Sequence, residues 1–537
     1  MKSARVVLSV GVLASFLVLV ATAAPPATPE PKEYVYPPTA TPLAATSSAA
    51  AASTAKPDGL MSADEALGAD VLKKALSWNS TKYGKPTSTF RKGGVTKRPV
   101  DKDTVSKVGG GFNVRFASGS QITTPAVYDG MLFVSGGFSS KELYAFDARS
   151  GKPVWALDLE DDGPSAPACA DGVCVINTES CTLFVVSAKT GDLVWSKWLG
   201  DPLMSAATIS KGRVFAAYPV TDVIGEKGRP EEATHALAAF DLKTGKVLWQ
   251  KWIDGDVISS PVAVGDKVWV STFSGTVYEM EAVSGKILSA RLSMATSAPV
   301  LVAGNLYFSK RDDVGATAGE SIVGYGSGLG SVGHGKGASG SYVVARKAAV
   351  YLDAKVQESS AHATKGSSED AANGFAGGAP EAANAKVAAA LVGQGSVSTL
   401  QAHQGSRILS MPGRNVASMG DEVICTDPTT GKKLWAVKIE GDAAKEGGFL
   451  ATAPVAAGGS VLGGTVGGEV LQIDPKDGSV KKRWKVGAPV RAQPVVQDGW
   501  IYAGTADGRL IAIDTGDKSL TGWSQWGGDA ERSSVAH

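Results

Sequence analysis

One thirteen-residue pattern recurs along this chain and restricts its fold more than any other feature. Residues 143–155, 237–249 and 423–435 each read as an apolar strand, an Asp, a Thr/Ser-Gly pair, and a Trp four residues after the glycine. The Asp position recurs at intervals of 40, 54, 40, 146, 47 and 40 residues, at Asp147, Ser187, Asp241, Glu281, Asp427, Asp474 and Asp514. A unit of about 40–45 residues that holds four short strands is typical of one blade of a β-propeller.

The long interval indicates a hidden unit. An interval of 146 residues equals two units plus roughly 60 additional residues at the same period. The sequence therefore predicts an all-β protein, an eight-bladed β-propeller of four-stranded antiparallel blades with Trp-docking motifs, over residues 111–527. Residues 311–404 are rich in Gly and Ala and are predicted to be an insertion that contains part of blade 5. We expect the strand at residues 112–116 to close the ring against the last blade, because closure removes a free sheet edge.

Each part of the repeated pattern has a physical role. The Asp carboxylate accepts backbone N–H groups in the turn that follows, and the Gly supplies a positive φ. The Trp begins the outermost strand, where its ring covers the seam between two blades and its N–H meets a carbonyl. The predicted structural residues are Asp147, Gly151, Trp155, Gly191, Trp195, Asp241, Gly245, Trp249, Asp427, Gly431, Trp435, Asp474, Trp484, Asp514 and Trp523. The alternative, that the carboxylates are acid/base pairs or calcium ligands, fits their regular spacing less well.

One blade departs from the pattern. The unit of Glu281 has Ser289 where the others have Trp, so we expect a weaker seam beside it. In Trp484 and Trp523 the spacing from the glycine is also longer than in the clear copies.

The four cysteines suggest one disulfide. Asp171-Gly172 is a two-residue hairpin signal that places Cys169 opposite Cys174, within disulfide distance. In an oxidising compartment this pair is compatible with a disulfide; the alternative is two small buried apolar residues. No C-x-x-C or C-x-x-C-H occurs, which excludes c-type haem attachment and argues against a zinc site.

The two ends of the chain read as export and linker segments. Residues 1–23 have a basic start, an apolar run and an Ala-x-Ala site, typical of a signal peptide; the alternative is an uncleaved anchor helix, and membrane association would depend on it. Residues 24–110 are rich in Ala, Pro, Ser and Thr and are predicted to be a flexible linker with one short helix, whose face Ala66, Val71, Leu72 and Leu76 would line. Residues 528–537 are a C-terminal tail. We expect an exported protein of the periplasm or cell surface.

From about residue 112 to residue 526 the chain resembles the pyrroloquinoline-quinone (PQQ)-type repeat family, also called quinoprotein-like or quinoprotein alcohol dehydrogenase-like β-propellers. The resemblance rests on the repeated Asp-x-x-Thr/Ser-Gly-x-x-x-Trp at blade spacing. It implies one of two functions: a quinone-dependent dehydrogenase or a cofactor-free scaffold such as the outer-membrane assembly scaffold. The adjacent-cysteine element common in quinone-dependent alcohol dehydrogenases does not occur, and neither does the lipid-anchor cysteine of that scaffold.

We therefore expect a non-catalytic scaffold or protein-interaction module of the cell envelope, without a cofactor, whose partner is an envelope protein or a cell-wall component. With 53 basic and 52 acidic residues the net charge is +1, which excludes a nucleic-acid binder held by overall charge. The alternative is a periplasmic PQQ-dependent dehydrogenase that oxidises an alcohol or sugar, with calcium and the quinone as cofactors. No catalytic or metal-binding residue maps onto the sequence for it.

Two arginines are the candidates for a channel ligand. Arg407 and Arg491 precede or lie on innermost strands, and a channel arginine would suit a carboxylate-rich quinone. The alternative is an arginine bonded to loop carbonyls.

Overall fold

The fold is that of a computed structural model of the chain. The structure describes residues 63–86, 93–101, 104–137, 140–178, 181–199, 205–220, 224–293, 295–302, 305–311, 319–326, 340–348, 408–443, 446 and 449–528. The predicted signal peptide, Arg407, the insertion after Ala348 and the tail after Gly528 lie outside these residues.

The N-terminal part of the described chain contains one helix and three strands: α1 (Ala63–Trp78), β1 (Val95–Arg98), β2 (Val105–Val108) and β3 (Gly111–Arg115). The eight antiparallel sheets of a propeller follow, and each blade runs from an inner three- or four-residue strand outward. The fold class predicted from the repeat is confirmed.

The strands of blades 1 to 4 follow one another in the chain. They are β4 (Ala126–Tyr128), β5 (Met131–Ser135), β6 (Glu142–Asp147) and β7 (Pro153–Leu159); β8 (Ala168–Ala170), β9 (Val173–Asn177), β10 (Thr182–Ser187) and β11 (Leu193–Trp198); β12 (Thr208–Ser210), β13 (Arg213–Pro219), β14 (His235–Asp241) and β15 (Val247–Ile253); and β16 (Val262–Val264), β17 (Lys267–Ser271), β18 (Thr276–Glu281) and β19 (Ile287–Leu292).

Blades 5 to 8 continue this order. They are β20 (Val300–Val302), β21 (Asn305–Arg311), β22 (Gly319–Gly326) and β23 (Gly340–Ala348); β24 (Ile408–Met411), β25 (Arg414–Met419), β26 (Glu422–Thr426) and β27 (Lys433–Lys438); β28 (Val455–Ala457), β29 (Ser460–Gly464), β30 (Glu469–Ile473) and β31 (Val480–Lys485); and β32 (Val495–Gln497), β33 (Trp500–Gly504) and β34 (Arg509–Asp514). β22 and β23 lie within residues 311–404, the predicted insertion.

The N-terminal strand closes the ring, as predicted. β3 pairs antiparallel with β34, with Phe112 opposite Ala512, so blade 8 takes its outer strand from the other end of the propeller. β2 then pairs with β3 and adds a fifth strand to this blade. Closure satisfies the backbone groups along β34 that would otherwise form a free edge.

The segment predicted as a linker differs from that prediction over its described part. β1 pairs with β7 as a fifth strand of blade 1, and α1 contacts the outer strands β15 and β19. The helix buries Ala75 and Trp78, whereas Leu76 is 49% exposed and does not lie on the buried face. The segment packs on the propeller because the outer strands offer it unpaired hydrogen-bonding groups and apolar surface.

No helix among the residues that the structure describes is long and apolar enough to cross a lipid bilayer.

Candidate functional site

Four tryptophans fasten neighbouring blades in the same way. Each ring lies on the motif glycine of the next blade, and each indole N–H donates to the carbonyl one residue after the Asp position of that blade. The pairs are Trp155 with Ala188 (2.9 Å), Trp195 with Leu242 (2.8 Å), Trp249 with Ala282 (3.0 Å) and Trp435 with Pro475 (2.9 Å). At Gly191, Gly245, Gly285 and Gly478 an added β-carbon would meet the ring at 2.5–2.9 Å, so only glycine fits there.

Trp484 and Trp523 do not fasten a seam in this way, which corrects the prediction for both residues. In the blades that dock, the Trp lies opposite the residue two positions before the motif Asp, as Trp435 lies opposite Cys425. In blade 7 this docking position, opposite Gln472, is occupied by Lys482, and Trp484 lies two residues further along, opposite Val470. Trp523 follows the last strand and forms a bridge with Val496 of the innermost strand β32. The reason is that blade 8 takes its outer strand from β3, so no outer strand follows Asp514.

The motif carboxylates lie in turns. Oδ1 of Asp147, Asp241 and Asp427 accepts the backbone N–H three residues later, at 2.7, 2.8 and 2.7 Å. These hydrogen bonds, with those of the Ser or Thr hydroxyl, hold the pKa of each carboxyl below its usual range. Asp474 and Asp514 accept N–H groups two residues later, at 2.8 and 2.9 Å. The described arrangement is that of turn formation, with a positive φ at Gly151, Gly191, Gly245 and Gly431.

Cys169 and Cys174 form a disulfide across the hairpin of β8 and β9. Their Cα atoms are 4.2 Å apart and lie directly opposite each other. Cys181 and Cys425 are buried and lie outside this bond.

The C-terminal segment, which we define as residues 519–528, bonds to the innermost strands of three blades. Val496 and Trp523 exchange backbone hydrogen bonds of 2.8 and 3.1 Å, and the Val127 N–H of β4 donates to the Ser524 carbonyl (2.6 Å). The Cys169 N–H of β8 donates to Oε1 of Gln525 (3.0 Å). The segment therefore lies along the channel-facing edges of the innermost strands of blades 8, 1 and 2.

The same segment buries aromatic surface. Trp526 is 1% exposed and packs with Ala166 and Ala206, which precede the innermost strands of blades 2 and 3. Trp523 is equally buried, in the core of blades 6 to 8. The sequence reasoning missed these contacts, although two tryptophans three residues apart, just after the last acidic turn, were a signal for them.

Arg491 is held by a loop. Its guanidinium donates to the Glu446 carbonyl (2.9 Å) and pairs with the Glu446 carboxylate. Both contacts are made by the loop between β27 and β28.

With this geometry in place, comparison with known proteins identifies the family. A family model described as outer membrane protein assembly factor BamB, of the PQQ-type repeat, matches residues 88–322 and 419–536, more than half of the chain. The chain belongs to the PQQ-type repeat β-propeller family.

Two kinds of protein are similar to the chain in sequence: outer membrane assembly factors and quinone alcohol dehydrogenases. Outer membrane protein assembly factor BamB of Yersinia pestis is 25% identical over 182 residues, which cover 32% of this chain and 44% of the relative. The dehydrogenase subunit of a quinone alcohol dehydrogenase from Gluconacetobacter polyoxogenes is 30% identical over 199 residues, covering 32% of this chain and 25% of the relative. The chain thus spans less than half the length of these relatives. The crystal structure of BamB from Moraxella catarrhalis has a TM-score of 0.47 and 16% identity, covering 76% of this chain and 99% of that one.

The PQQ-type repeat family includes quinone enzymes, which need free strand edges or side chains for the quinone and oxygen ligands for calcium. Along the innermost strands of blades 8, 1 and 2, Trp523, Ser524 and Gln525 occupy strand edges that a channel ligand would contact. The Arg491 guanidinium is paired with Glu446. The described residues contain no group of three or more His, Cys, Asp or Glu placed to hold a metal ion. The described residues along this channel edge do not fit the quinone.

Proposed function

We propose that this protein is a non-catalytic scaffold of the cell envelope, exported to the periplasm or cell surface, whose propeller binds an envelope protein or a cell-wall component. The observation that carries the proposal is the C-terminal segment along the channel edge, with Trp523 and Trp526 each 1% exposed.

The contacts of the C-terminal segment limit where a ligand can bind. A small ligand needs a concave site with a few converging polar groups. Here backbone donors of β4, β8 and β32 that face the channel are bonded to the chain itself. Outer strand edges, seams and loops remain, and these suit a macromolecular partner better than a small substrate. The relatives named as outer membrane protein assembly factors support the same class of function.

A quinone-dependent dehydrogenase is the second candidate, because a quinone alcohol dehydrogenase subunit is 30% identical over 199 residues. The bonded channel edge of blades 8, 1 and 2 speaks against it.

Photo-crosslinking in the native envelope tests the proposal. Leu434 lies on the outer strand of blade 6 and is 45% exposed, so a photoreactive residue there samples the perimeter without disturbing the channel. We expect one envelope component to be captured, and the purified protein to bind neither PQQ nor calcium. Saturable PQQ binding together with oxidation of an alcohol or sugar would overturn the proposal. Fractionation that leaves the chain in the cytoplasm would do the same.

A further inference from the structure

The seam between blades 4 and 5 lacks the indole that fastens four other seams. Ser289 lies opposite Glu279, in the same register as Trp249 opposite Ala239 one blade earlier. Ser289 therefore holds the docking position with a side chain too small to reach the next blade.

A groove of about 590 Å³ opens at this seam, which we call the blade 4–5 groove. Pockets of about 300–1,000 Å³ hold groups of drug size, so this groove has room for one aromatic side chain of a partner protein. Its apolar lining includes the half-buried Leu301, Leu306 and Tyr325 of blade 5, whereas Trp269 and Phe308 also line it but are only 5% and 0% exposed. Phe308 and Tyr325 are stacked with ring centroids 5.5 Å apart, so the aromatic surface that this wall leaves accessible is that of Tyr325.

The groove is also more polar than the equivalent seam between blades 1 and 2. Glu279 and Arg291 stand in the register positions of Ala145 and Leu157, which are buried there in an apolar core. The side chain of Arg291 is exposed at the rim. The seam between blades 1 and 2 is thus apolar, whereas the seam between blades 4 and 5 has an apolar wall that includes Tyr325 and charged side chains at its edge.

Of the charged side chains around the groove, Arg291 is the one placed to pair with a ligand. The Lys267 ammonium pairs with the Glu279 carboxylate, and Asp266 pairs with Lys211 of blade 3 at 3.2 Å. Within the part of the chain that the structure describes, Arg291 forms no ion pair. A guanidinium at the edge of an aromatic pocket favours an occupant that brings a carboxylate.

We propose that the blade 4–5 groove binds a segment of a partner protein that carries an aromatic side chain, indole above all, next to an acidic residue. The proposal rests on the scaffold role above and names the surface through which that role is exercised. The repeat shows which side chain fits such a position, because at four other seams an indole occupies the place that Ser289 leaves open. A partner's indole would bury apolar area against Leu301, Leu306 and Tyr325 while its neighbouring carboxylate pairs with Arg291.

The first test uses a defined probe and the full-length mature chain. The probe is acetyl-Asp-(5-fluoro-Trp)-amide, followed by ¹⁹F NMR. We expect saturable line broadening with the wild-type protein and at least tenfold weaker binding after Ser289→Trp, because the chain then fills its own groove. Arg291→Ala should weaken binding at least threefold and also remove the preference for this probe over acetyl-Lys-(5-fluoro-Trp)-amide. Arg291→Ala keeps the test decisive if Ser289→Trp fails to fold.

The matched control is Leu248→Trp, which adds an indole to an exposed position of the outer strand of blade 3. It should leave probe binding unchanged. Equal binding to the wild type, Ser289→Trp and Arg291→Ala would overturn the groove proposal, and so would no binding to the wild type.

The crosslinking experiment separates this inference from the scaffold role. If the wild type captures an envelope component and Ser289→Trp captures the same amount, the groove proposal is wrong and the scaffold role stands. If the probe binds but no component is captured, the scaffold role is wrong and the groove stands. If the captured component is a second copy of this chain, the proposed partner is wrong.

Discussion

The ring of Phe112 lies on the backbone of Gly151 and takes the place of a docking tryptophan at the seam that closes the ring. A β-carbon added at Gly151 would lie 2.7 Å from this ring. A phenyl group has no N–H to donate, and the Ala148 carbonyl, one residue after Asp147, accepts instead from the Tyr502 hydroxyl at 2.8 Å. Burial raises the pKa of Tyr502, which keeps the hydroxyl protonated as a donor. Two residues from opposite ends of the propeller thus replace one indole.

A tyrosine hydroxyl also donates to the equivalent carbonyl at the seam between blades 5 and 6. The Tyr307 hydroxyl donates to the Pro428 carbonyl at 3.2 Å, one residue after Asp427. Tyr307 and Tyr502 share a register, since each lies opposite the first residue of the innermost strand, Val300 or Val495. A carbonyl at the docking position is satisfied in each case, which is what the cost of a buried, unpaired acceptor requires.

Truncating Phe112 tests ring closure. We expect Phe112→Ala to lower the free energy of unfolding by about 3–5 kcal/mol, the usual cost of a buried Phe-to-Ala change. Tyr502→Phe should cost about 1 kcal/mol, since it removes one hydrogen bond and retains the ring. Urea unfolding followed by circular dichroism measures both, with Val108→Ala, exposed on the neighbouring strand, as the control. A Phe112→Ala protein within 0.5 kcal/mol of wild type would contradict the closing role.

A pair of glycine substitutions separates docking from backbone strain. Gly191 and Gly212 have nearly the same positive φ, 72° and 70°. A β-carbon at Gly191 would lie 2.9 Å from the Trp155 ring, whereas nothing lies within 4 Å at Gly212. We expect Gly212→Ala to cost about 1–2 kcal/mol from strain, and Gly191→Ala to cost a further 1–3 kcal/mol, roughly, from overpacking. Equal unfolding midpoints for the two variants would contradict the contact.

The blade count was predictable because each blade satisfies most of its hydrogen bonds locally, so one unit leaves one copy of its pattern in the sequence. Glycine and tryptophan spacing located the seams of Trp155, Trp195, Trp249 and Trp435. It failed for Trp484 and Trp523, because spacing alone does not show which strand partners a residue, and the chain end has no outer strand of its own.

The channel edge and the groove were not predictable for a different reason. The contacts of Ser524, Gln525 and Trp526 join residues hundreds of positions apart, and no local pattern encodes them. Ser289 did predict a weaker seam. The opening beside it depends on how closely blades 4 and 5 pack together, which no local sequence pattern encodes.

The stability that the turn carboxylates contribute should depend on pH, and Asp147→Asn tests this. Hydrogen bonds from the Ser150 N–H and hydroxyl, at 2.7 and 2.6 Å, lower the pKa of Asp147. Because this folded-state pKa lies below the unfolded value of about 3.9, the ionised group adds stability above that value. This stability is lost as the pH falls through the folded-state pKa. Asparagine accepts the same N–H without a charge, so we expect wild type to exceed Asp147→Asn in stability at pH 6 and the difference to shrink towards pH 3.

Urea midpoints at pH 6, 4 and 3 measure this change. Ser150→Ala, which removes one of the two donors, should reduce the pH-dependent difference without abolishing it. A difference between wild type and Asp147→Asn that is constant with pH would show that the carboxylate charge contributes nothing.

Removal of the C-terminal segment tests the surface on which the proposed function rests. We expect deletion of residues 519–537 to expose the channel-facing N–H groups of Val127, Cys169 and Val496 and to speed their hydrogen exchange at least tenfold, because the acceptors at Ser524, Gln525 and Trp523 are lost. Hydrogen-exchange mass spectrometry of the strand peptides measures the rates. Deletion of residues 529–537 alone is the matched control and should leave all three N–H groups protected. Trp526→Ala should lower the free energy of unfolding by about 3–5 kcal/mol while the backbone bond to Val127 persists. If the longer deletion leaves exchange at Val127 and Val496 unchanged, the segment does not hold the channel edge, and the argument against a channel ligand fails with it.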